Sequence, residues 1–478
     1  MVLGAVHGRD GGGKVRDGMG GDYTREAAHA DRKVANYVPL PPMRLADLIT
    51  TLDPAKAGSE MHALATRLYP ICRSISGPGL RETLAILGQS MPLKTFEVAS
   101  GTEVFDWTVP KEWTLRDAWI KNAKGEKVVD FAKSNLHVMG YSVPVRAKLP
   151  LSELRARLHS LPDHPDWIPY RTSYYKDTWG FCLTQKQLDS LPEGEYEVCI
   201  DSTLADGSLT YAECFLPGSS QDEILLFCHA CHPSLANDNL SGMAVAAQLA
   251  GLLQKAERRH SFRIVFAPTV IGSIVWLHQN EAGTARIKHG YTLALLGDSG
   301  QIQYKRSREG DAPVDRAMAH VLKQSGKPHV MRPFTPYGYD ERQFNSPGFA
   351  LPVGCLMRSP NGTFPEYHNS GDNLAFIKPD SLADSLLTAA SALAVLEGDG
   401  VFINQNPKCE PRLGKRGIYD GLKGKNSLGD TELALLWILN QSDGRHSLLD
   451  IAEKAGMAFA TVRRAADALE GCGLLKPA

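Results

Sequence analysis

The chain has 478 residues, 43% of them hydrophobic and 22% charged, with a formal net charge of −1. That length accommodates more than one domain, and the composition is that of an ordinary globular protein. The near-neutral charge excludes bulk electrostatic attraction to nucleic acid or an anionic membrane, and no apolar run reaches the roughly 18 residues of a bilayer span.

Residues 1–42 are Gly-rich and carry Asp10, Asp17 and Asp22 without an apolar core. Signal and transit peptides have neither feature, so this stretch reads as a disordered extension, with Met43 as an alternative start. Without an export signal, the nine cysteines read as reduced thiols and the protein as cytoplasmic. Helical patterning follows over 45–87, broken at Asp53-Pro54 and at Ser76-Gly77-Pro78-Gly79. From 105 to 204 short Trp-, Val- and Tyr-rich segments alternate with turns, which predicts an inserted β-rich domain. Trp107, Trp113, Trp119, Trp167 and Trp179 fall inside it and are expected to form its compact core, or else a substrate-facing lid.

An α/β rhythm begins at Gln221. Strands are predicted at Glu223–Cys228, Ser261–Ala267, Tyr291–Leu296 and Ala350–Leu356, with helices near 241–258 and 379–396. Uniformly apolar strands alternating with helices indicate an α/β fold with a mostly parallel sheet covered on both faces. Segments 43–104 and 205–400 would form this domain, and 401–427 a linker to a C-terminal module over 428–478.

Ligands of such sheets collect beyond the carboxyl ends of the strands. His229 and His232 follow the first strand, Asp238 enters the next helix, Asp298 follows the third strand and His368 the fourth. Imidazole and carboxylate are zinc ligands. Taken singly, Asp238 is a helix cap, Asp298 a turn residue and His368 a loop histidine; their joint placement at one end of one sheet favours a metal site. Gly297-Asp298-Ser299-Gly300 looks like a serine-protease nucleophile segment but lies at a parallel strand's end, and Cys228/Cys231 lack the second pair of a zinc ribbon.

The segment His229-Ala-Cys-His-Pro-Ser-Leu-Ala-Asn-Asp-Asn-Leu-Ser-Gly242, with Gly297-Asp298 and Tyr367-His368-Asn-Ser-Gly-Asp372, resembles the signatures of the co-catalytic zinc aminopeptidases. That superfamily includes the glutaminyl cyclases. Asp340 to Phe349 resembles its Ser-Asp-His segment. Tyr170-Arg-Thr-Ser-Tyr-Tyr175, Trp179-Gly-Phe-Cys182 and Cys409-Glu-Pro-Arg-Leu-Gly414 are similar to a bacterial aminopeptidase-like group with an inserted β domain and a C-terminal winged helix. The resemblance implies that Asp238 bridges two metals, that His229 or His232 with Asp298 completes one site, and that His368 belongs to the other. It also implies a cis Asp238–Asn239 bond. Two departures matter. Cys231 stands where the family has a carboxylate that orients the histidine. Thr269 and Val270, in Phe266-Ala-Pro-Thr-Val-Ile-Gly272, stand where it has a general-base glutamate and a ligand glutamate. One zinc site is therefore expected, with the second in doubt.

From Asp430 to Ala478 three helices and a short ribbon resemble a winged helix. Five Lys/Arg against seven Asp/Glu there give no basic footprint for DNA, despite Arg463 and Arg464. Packing on the catalytic domain, or on a second subunit of a homo-oligomer, is the expected role. The functional expectation is a metal-dependent, aminopeptidase-like hydrolase of a small peptide or amide substrate, in a biosynthetic setting. Glu366 and Asp340 are the substitute-base candidates, and Arg342 and Tyr367 the substrate-binding ones. The alternatives are a catalytically degenerate metal- or ligand-binding homologue and a non-hydrolytic acyl transferase or cyclase.

Overall fold

The computed structural model describes residues 43–418 and 429–478. The predicted extension over 1–42 and part of the predicted linker lie outside the described residues. Eight strands form the central sheet: β1 (Leu93–Ala99), β2 (Ser208–Leu216), β3 (Glu223–His229), β4 (Ser261–Ala267), β5 (Ile287–Leu293), β6 (Ile302–Lys305), β7 (His329–Arg332) and β8 (Val353–Met357). Their order across the sheet is β7-β6-β8-β5-β3-β4-β2-β1. The central four, β8, β5, β3 and β4, are mutually parallel. Antiparallel pairings attach β1 and β2 on one flank and β6 on the other, so the sheet is parallel at its centre and mixed at its edges.

Every residue of β3 is buried, which explains its unbroken apolar run: both faces are covered. Ile224, Leu226 and Cys228 face one core, Leu225 and Phe227 the other. Helices α1 (Pro54–Leu68), α2 (Gly242–Lys255), α4 (Pro313–Gln324) and α5 (Pro379–Gly398) supply the first core. Helix α3 (Ile271–Asn280) and the inserted domain supply the second. Contrary to the expectation that no stretch reaches the length of a bilayer span, helix α5 is long and apolar enough to cross a membrane, and 67% of that window is buried within the protein. Its hydropathy is therefore that of a core helix.

The insertion is built on a four-stranded sheet in the order 127–130, 112–121, 195–205, 145–150. Of its five tryptophans only Trp113 is core, at 4% exposure, while Trp107 is 46% exposed. Trp119 and Trp179 instead lie under cations, Lys121 and Arg157. The tryptophan-core expectation is thus corrected. The insertion's interior is mainly aliphatic, with Ala118, Ile120, Val129, Val198 and Ile200 beside Trp113 and Tyr196.

The expected linker starts later than 401. Val401–Asn404 is a strand pairing with Asp443–Ser447 and Leu475–Pro477, so α5 runs directly into the C-terminal module. That module's helices are α6 (Asp430–Gln441), α7 (Leu448–Ala455) and α8 (Phe459–Gly471). Arg316 on α4 pairs with Asp450 and Glu453, His320 accepts the Phe459 N–H at 3.1 Å, and Arg463 reaches the Gly398 carbonyl. The residues of this module continue the first core.

Candidate metal centre

The loop between β3 and α2 is welded to the end of β5 and the residues that follow it. Asn237 donates to Asp298 Oδ2 at 2.9 Å and accepts the Gly297 N–H at 2.8 Å. Asn239 accepts the N–H groups of Gly242 and Leu295 and donates to the Leu293 carbonyl at 3.0 Å. Ser241 accepts the Leu296 N–H at 2.9 Å. Gly242 is required sterically, because a Cβ there would lie 2.4 Å from Asn239 Oδ1 and 2.6 Å from the Leu293 carbonyl oxygen. From the far side, Asp372 accepts the backbone N–H groups of both Asn237 and Asp238. These bonds leave the Asp238 carboxylate one direction to face. The Asp238–Asn239 bond is cis, as the resemblance implied, and so is Thr269–Val270.

Asp238 is fully buried and faces imidazoles. His229 Nε2 lies 2.8 Å from Oδ1, His368 Nε2 lies 3.0 Å from Oδ2, and His232 Nε2 is 4.0 Å from Oδ2. Tyr339 donates a long hydrogen bond to Oδ1 at 3.4 Å and stacks on His229. Tyr367 stacks on His368 with centroids 3.9 Å apart. Burial alone would raise the Asp238 pKa, but the neighbouring His232 imidazole and the bonds from His229 and His368 outweigh it and hold the carboxyl well below its ordinary range. Burial pushes the His232 imidazole down to about 3, against the pull of Asp238. At neutral pH the centre is thus an ionised carboxylate with a neutral His232 beside it.

Such a donor set fits zinc. Donor atoms of His229, His232 and Asp238 all lie within 4.8 Å of one another, against roughly 3.3 Å between neighbouring ligands of a tetrahedral zinc. The sequence left His229 and His232 as alternatives; the structure brings both to the cluster, with His368 bonded to the same carboxylate. Asp298, expected among the ligands, is placed differently. Its Oδ1 accepts from Ser359 Oγ and the Gly300 N–H, and its Oδ2 from Asn237 and the Ser359 N–H. Like His368, it is not one of the three residues grouped by that distance, and its four hydrogen bonds satisfy both of its oxygens.

Thr269 and Val270 are half-buried at the end of β4, where the Thr269 N–H meets Cys231 Sγ at 3.4 Å. Asp340 is fully buried. Its Oδ1 accepts from Ser273 Oγ at 2.7 Å, and Oδ2 has no hydrogen-bond partner. Burial pushes its carboxyl up to about 6, although His229 and the Ser273 and Thr269 hydroxyls pull it down. The Glu366 side chain lies beside Trp167 over Gly371, facing the insertion. Arg342 sits on the short helix Glu341–Phe344 with its Nε buried and unpaired, and no contact brings it to the histidines. Tyr367 is at the cluster.

Tyr170, Tyr339 and Arg73 were not singled out as site residues by sequence reasoning. Buried Arg73 fixes the His232 backbone through its carbonyl at 2.9 Å. Tyr339 stands directly before Asp340, so the similarity at Asp340 was the one signal that bordered on it.

A family model described as a domain of unknown function (DUF4910) matches residues 62–399, and one for a winged helix-turn-helix matches 400–477. A Clostridium acetobutylicum protein, named for polysaccharide biosynthesis and for an aminopeptidase-like domain, is 50% identical over 422 residues. That match covers 88% of this chain and 97% of the relative. A crystal structure from Clostridium acetobutylicum, named as a peptidase, is 48% identical with a TM-score of 0.86, covering 91% of this chain and 99% of that one. A zinc aminopeptidase of Bacillus subtilis shares the fold at 13% identity and a TM-score of 0.53, covering 71% of this chain and 94% of its own. The family match and the half-identical relative establish that the chain belongs to the DUF4910 family, as an aminopeptidase-like α/β domain continued by a winged helix.

Proposed function

We propose that the protein is a zinc-dependent hydrolase of a peptide or amide bond in a small substrate, with one metal held by His229, His232, His368 and Asp238. The observation that carries this reading is a fully buried aspartate whose carboxylate faces three imidazoles, two of them within hydrogen-bond distance. A buried carboxylate is costly unless cations or hydrogen bonds compensate it, and a site with this donor set is suited to a divalent ion. Zinc, when bound, would polarise an amide carbonyl and acidify water.

The protein's own groups divide the remaining work. Asp238 and the three imidazoles would hold the ion, while Tyr339 and Tyr367 pack His229 and His368 into fixed directions. With Thr269 and Val270 at the glutamate positions, Asp340 is the stronger candidate to hold a proton. Its raised pKa of about 6 suits acid–base exchange near neutrality, and Oδ2 is free to receive a proton. The name of the half-identical relative supports a biosynthetic role, and nine free thiols fit a reducing compartment. The Thr269–Val270 pair also favours a second reading, in which an acceptor other than water takes the acyl group.

Zinc analysis of the purified chain and a panel of aminoacyl and acyl anilides test the first reading. Thr269→Glu returns a carboxylate to the end of β4 and is expected to raise hydrolysis by about 10²-fold or more, the lower end of what a positioned base contributes. A folded, zinc-loaded variant no faster than wild type would favour the transferase reading.

A further inference from the structure

The inserted domain reaches the centre through one short segment. The Tyr170 N–H donates to the His368 carbonyl at 2.8 Å, and the Ser370 N–H to the Ile168 carbonyl at 2.9 Å. Ser370 Oγ accepts the Ile168 N–H at 2.9 Å, and Pro169 and Asn369 form an antiparallel bridge. The His368 loop is thereby stitched to the insertion as a miniature two-stranded ladder. His368 itself has φ 58°, a left-handed conformation that a residue bearing a Cβ keeps only when its surroundings impose it.

At the end of this ladder the Tyr170 ring enters the centre. It meets His232 edge-on with centroids 5.2 Å apart and planes at 62°, and His368 at 5.2 Å and 89°. Those two imidazoles approach the same oxygen of Asp238. The Tyr170 hydroxyl is 3.1 Å from that of Tyr174, so the phenol is fixed at its far end as well. One ring, anchored at its backbone and at its tip, thus touches two of the three histidines.

We propose that Tyr170 is a positioning residue for the metal centre: its ring wedges His232 and His368 into the directions they need, so that metal affinity depends on the inserted domain. The inference rests on the metal-site reading above. It assigns the insertion a part in assembling the centre in addition to whatever contact it makes with substrate. The ring's bulk and edge do this work; the hydroxyl serves only to hold the ring.

Cobalt(II) titration of the full chain, followed by visible absorption, reads both affinity and ligand geometry without needing a substrate. Tyr170→Ala keeps the N–H donor and removes the ring. It is expected to bind cobalt about 10- to 100-fold more weakly, the usual effect of losing a group that orients a ligand, with a spectrum displaced from that of wild type. Tyr170→Phe keeps the ring and should stay within about 2-fold of wild type in affinity, with an unchanged spectrum. Thermal melting checks the fold, and Tyr170→Leu, which fills most of the volume, replaces the alanine variant should that one fail to fold. Wild-type affinity in a folded variant lacking the ring overturns the proposal, and so does a phenylalanine variant as weak as the alanine one. Wild type that takes up no more cobalt than Asp238→Asn overturns the metal reading itself, and this proposal with it.

Discussion

Asp238 and Asp298 are a natural pair for comparison. Both are buried aspartates in loops beyond strands of the parallel centre, Asp238 after β3 and Asp298 after β5, and Asn237 links the two loops. Their surroundings differ in kind. Asp238 faces three imidazoles whose nitrogens carry lone pairs when neutral, whereas Asp298 faces two N–H groups, an amide and a hydroxyl that can only donate to it. Groups that can bind a cation alongside a carboxylate make a ligand site; groups that saturate the carboxylate make a structural brace. Strand-end position alone does not separate the two outcomes. The partners do.

Paired substitutions give the largest expected contrast. Asp238→Asn should leave less than about a tenth of a zinc ion per chain, because a carboxylate ligand is replaced by a poor one. Asp298→Asn should keep its zinc and lose about 1–3 kcal/mol of stability, the cost of a weakened buried hydrogen-bond set. Metal analysis beside thermal melting reads both. Equal zinc loss in the two variants would erase the distinction and restore Asp298 as a ligand.

Asp340 sharpens the comparison as a third buried aspartate, with one oxygen bonded and one unpartnered. Its folded pKa is raised from 3.8 to about 6. The associated stability is fully present below about pH 4 and is lost as pH rises through about 6. Asp340→Asn cannot ionise, so its gain over wild type should be absent at pH 4 and reach on the order of 2–3 kcal/mol above pH 7, from a shift of about two pKa units. Melting curves across that range check it. A difference that does not change with pH would mean that Asp340 ionises as an ordinary carboxyl.

The central sheet was legible because burial on both faces writes an apolar run. Ser261–Ala267 has the predicted bounds. The next parallel strand was expected at 291–296 and occupies Ile287–Leu293. Its start is masked by Lys288 and His289, and Leu295 and Leu296, although apolar, lie past its end with their N–H groups bonded to Asn239 and Ser241. Of the proposed site, His229, His232, Asp238 and His368 were named from strand ends and motif, and the structure brings their side chains together. The four hydrogen bonds of Asp298 were not legible, because two of them come from Ser359, 61 residues away. Tyr170 opened a segment that carried the resemblance, but nothing in that segment gave its place, since only the docking of the insertion on the His368 loop brings it there. The tryptophans misled for a related reason: the surface of an inserted sheet can hold an aromatic ring under a lysine or arginine, and composition does not say which ring is inside.

The smallest effect tests the brace directly. Ser359 gives Asp298 two of its four hydrogen bonds, one from the hydroxyl at 2.7 Å and one from the backbone N–H at 3.2 Å. Ser359→Ala removes only the first and leaves a small space beside Oδ1, which keeps the Gly300 N–H at 2.7 Å. A hydrogen bond to a charged acceptor contributes about 1.5–3 kcal/mol when its loss strands a buried group, and less when a second donor remains. The expected loss is therefore about 1 kcal/mol of stability, with zinc content and cobalt spectrum as in wild type. If Ser359→Ala instead changed the cobalt spectrum, Asp298 would have turned toward Asp238 once released. The two aspartates would then be alternative positions of one metal site, and the hydroxyl of Ser359 the group that keeps them apart.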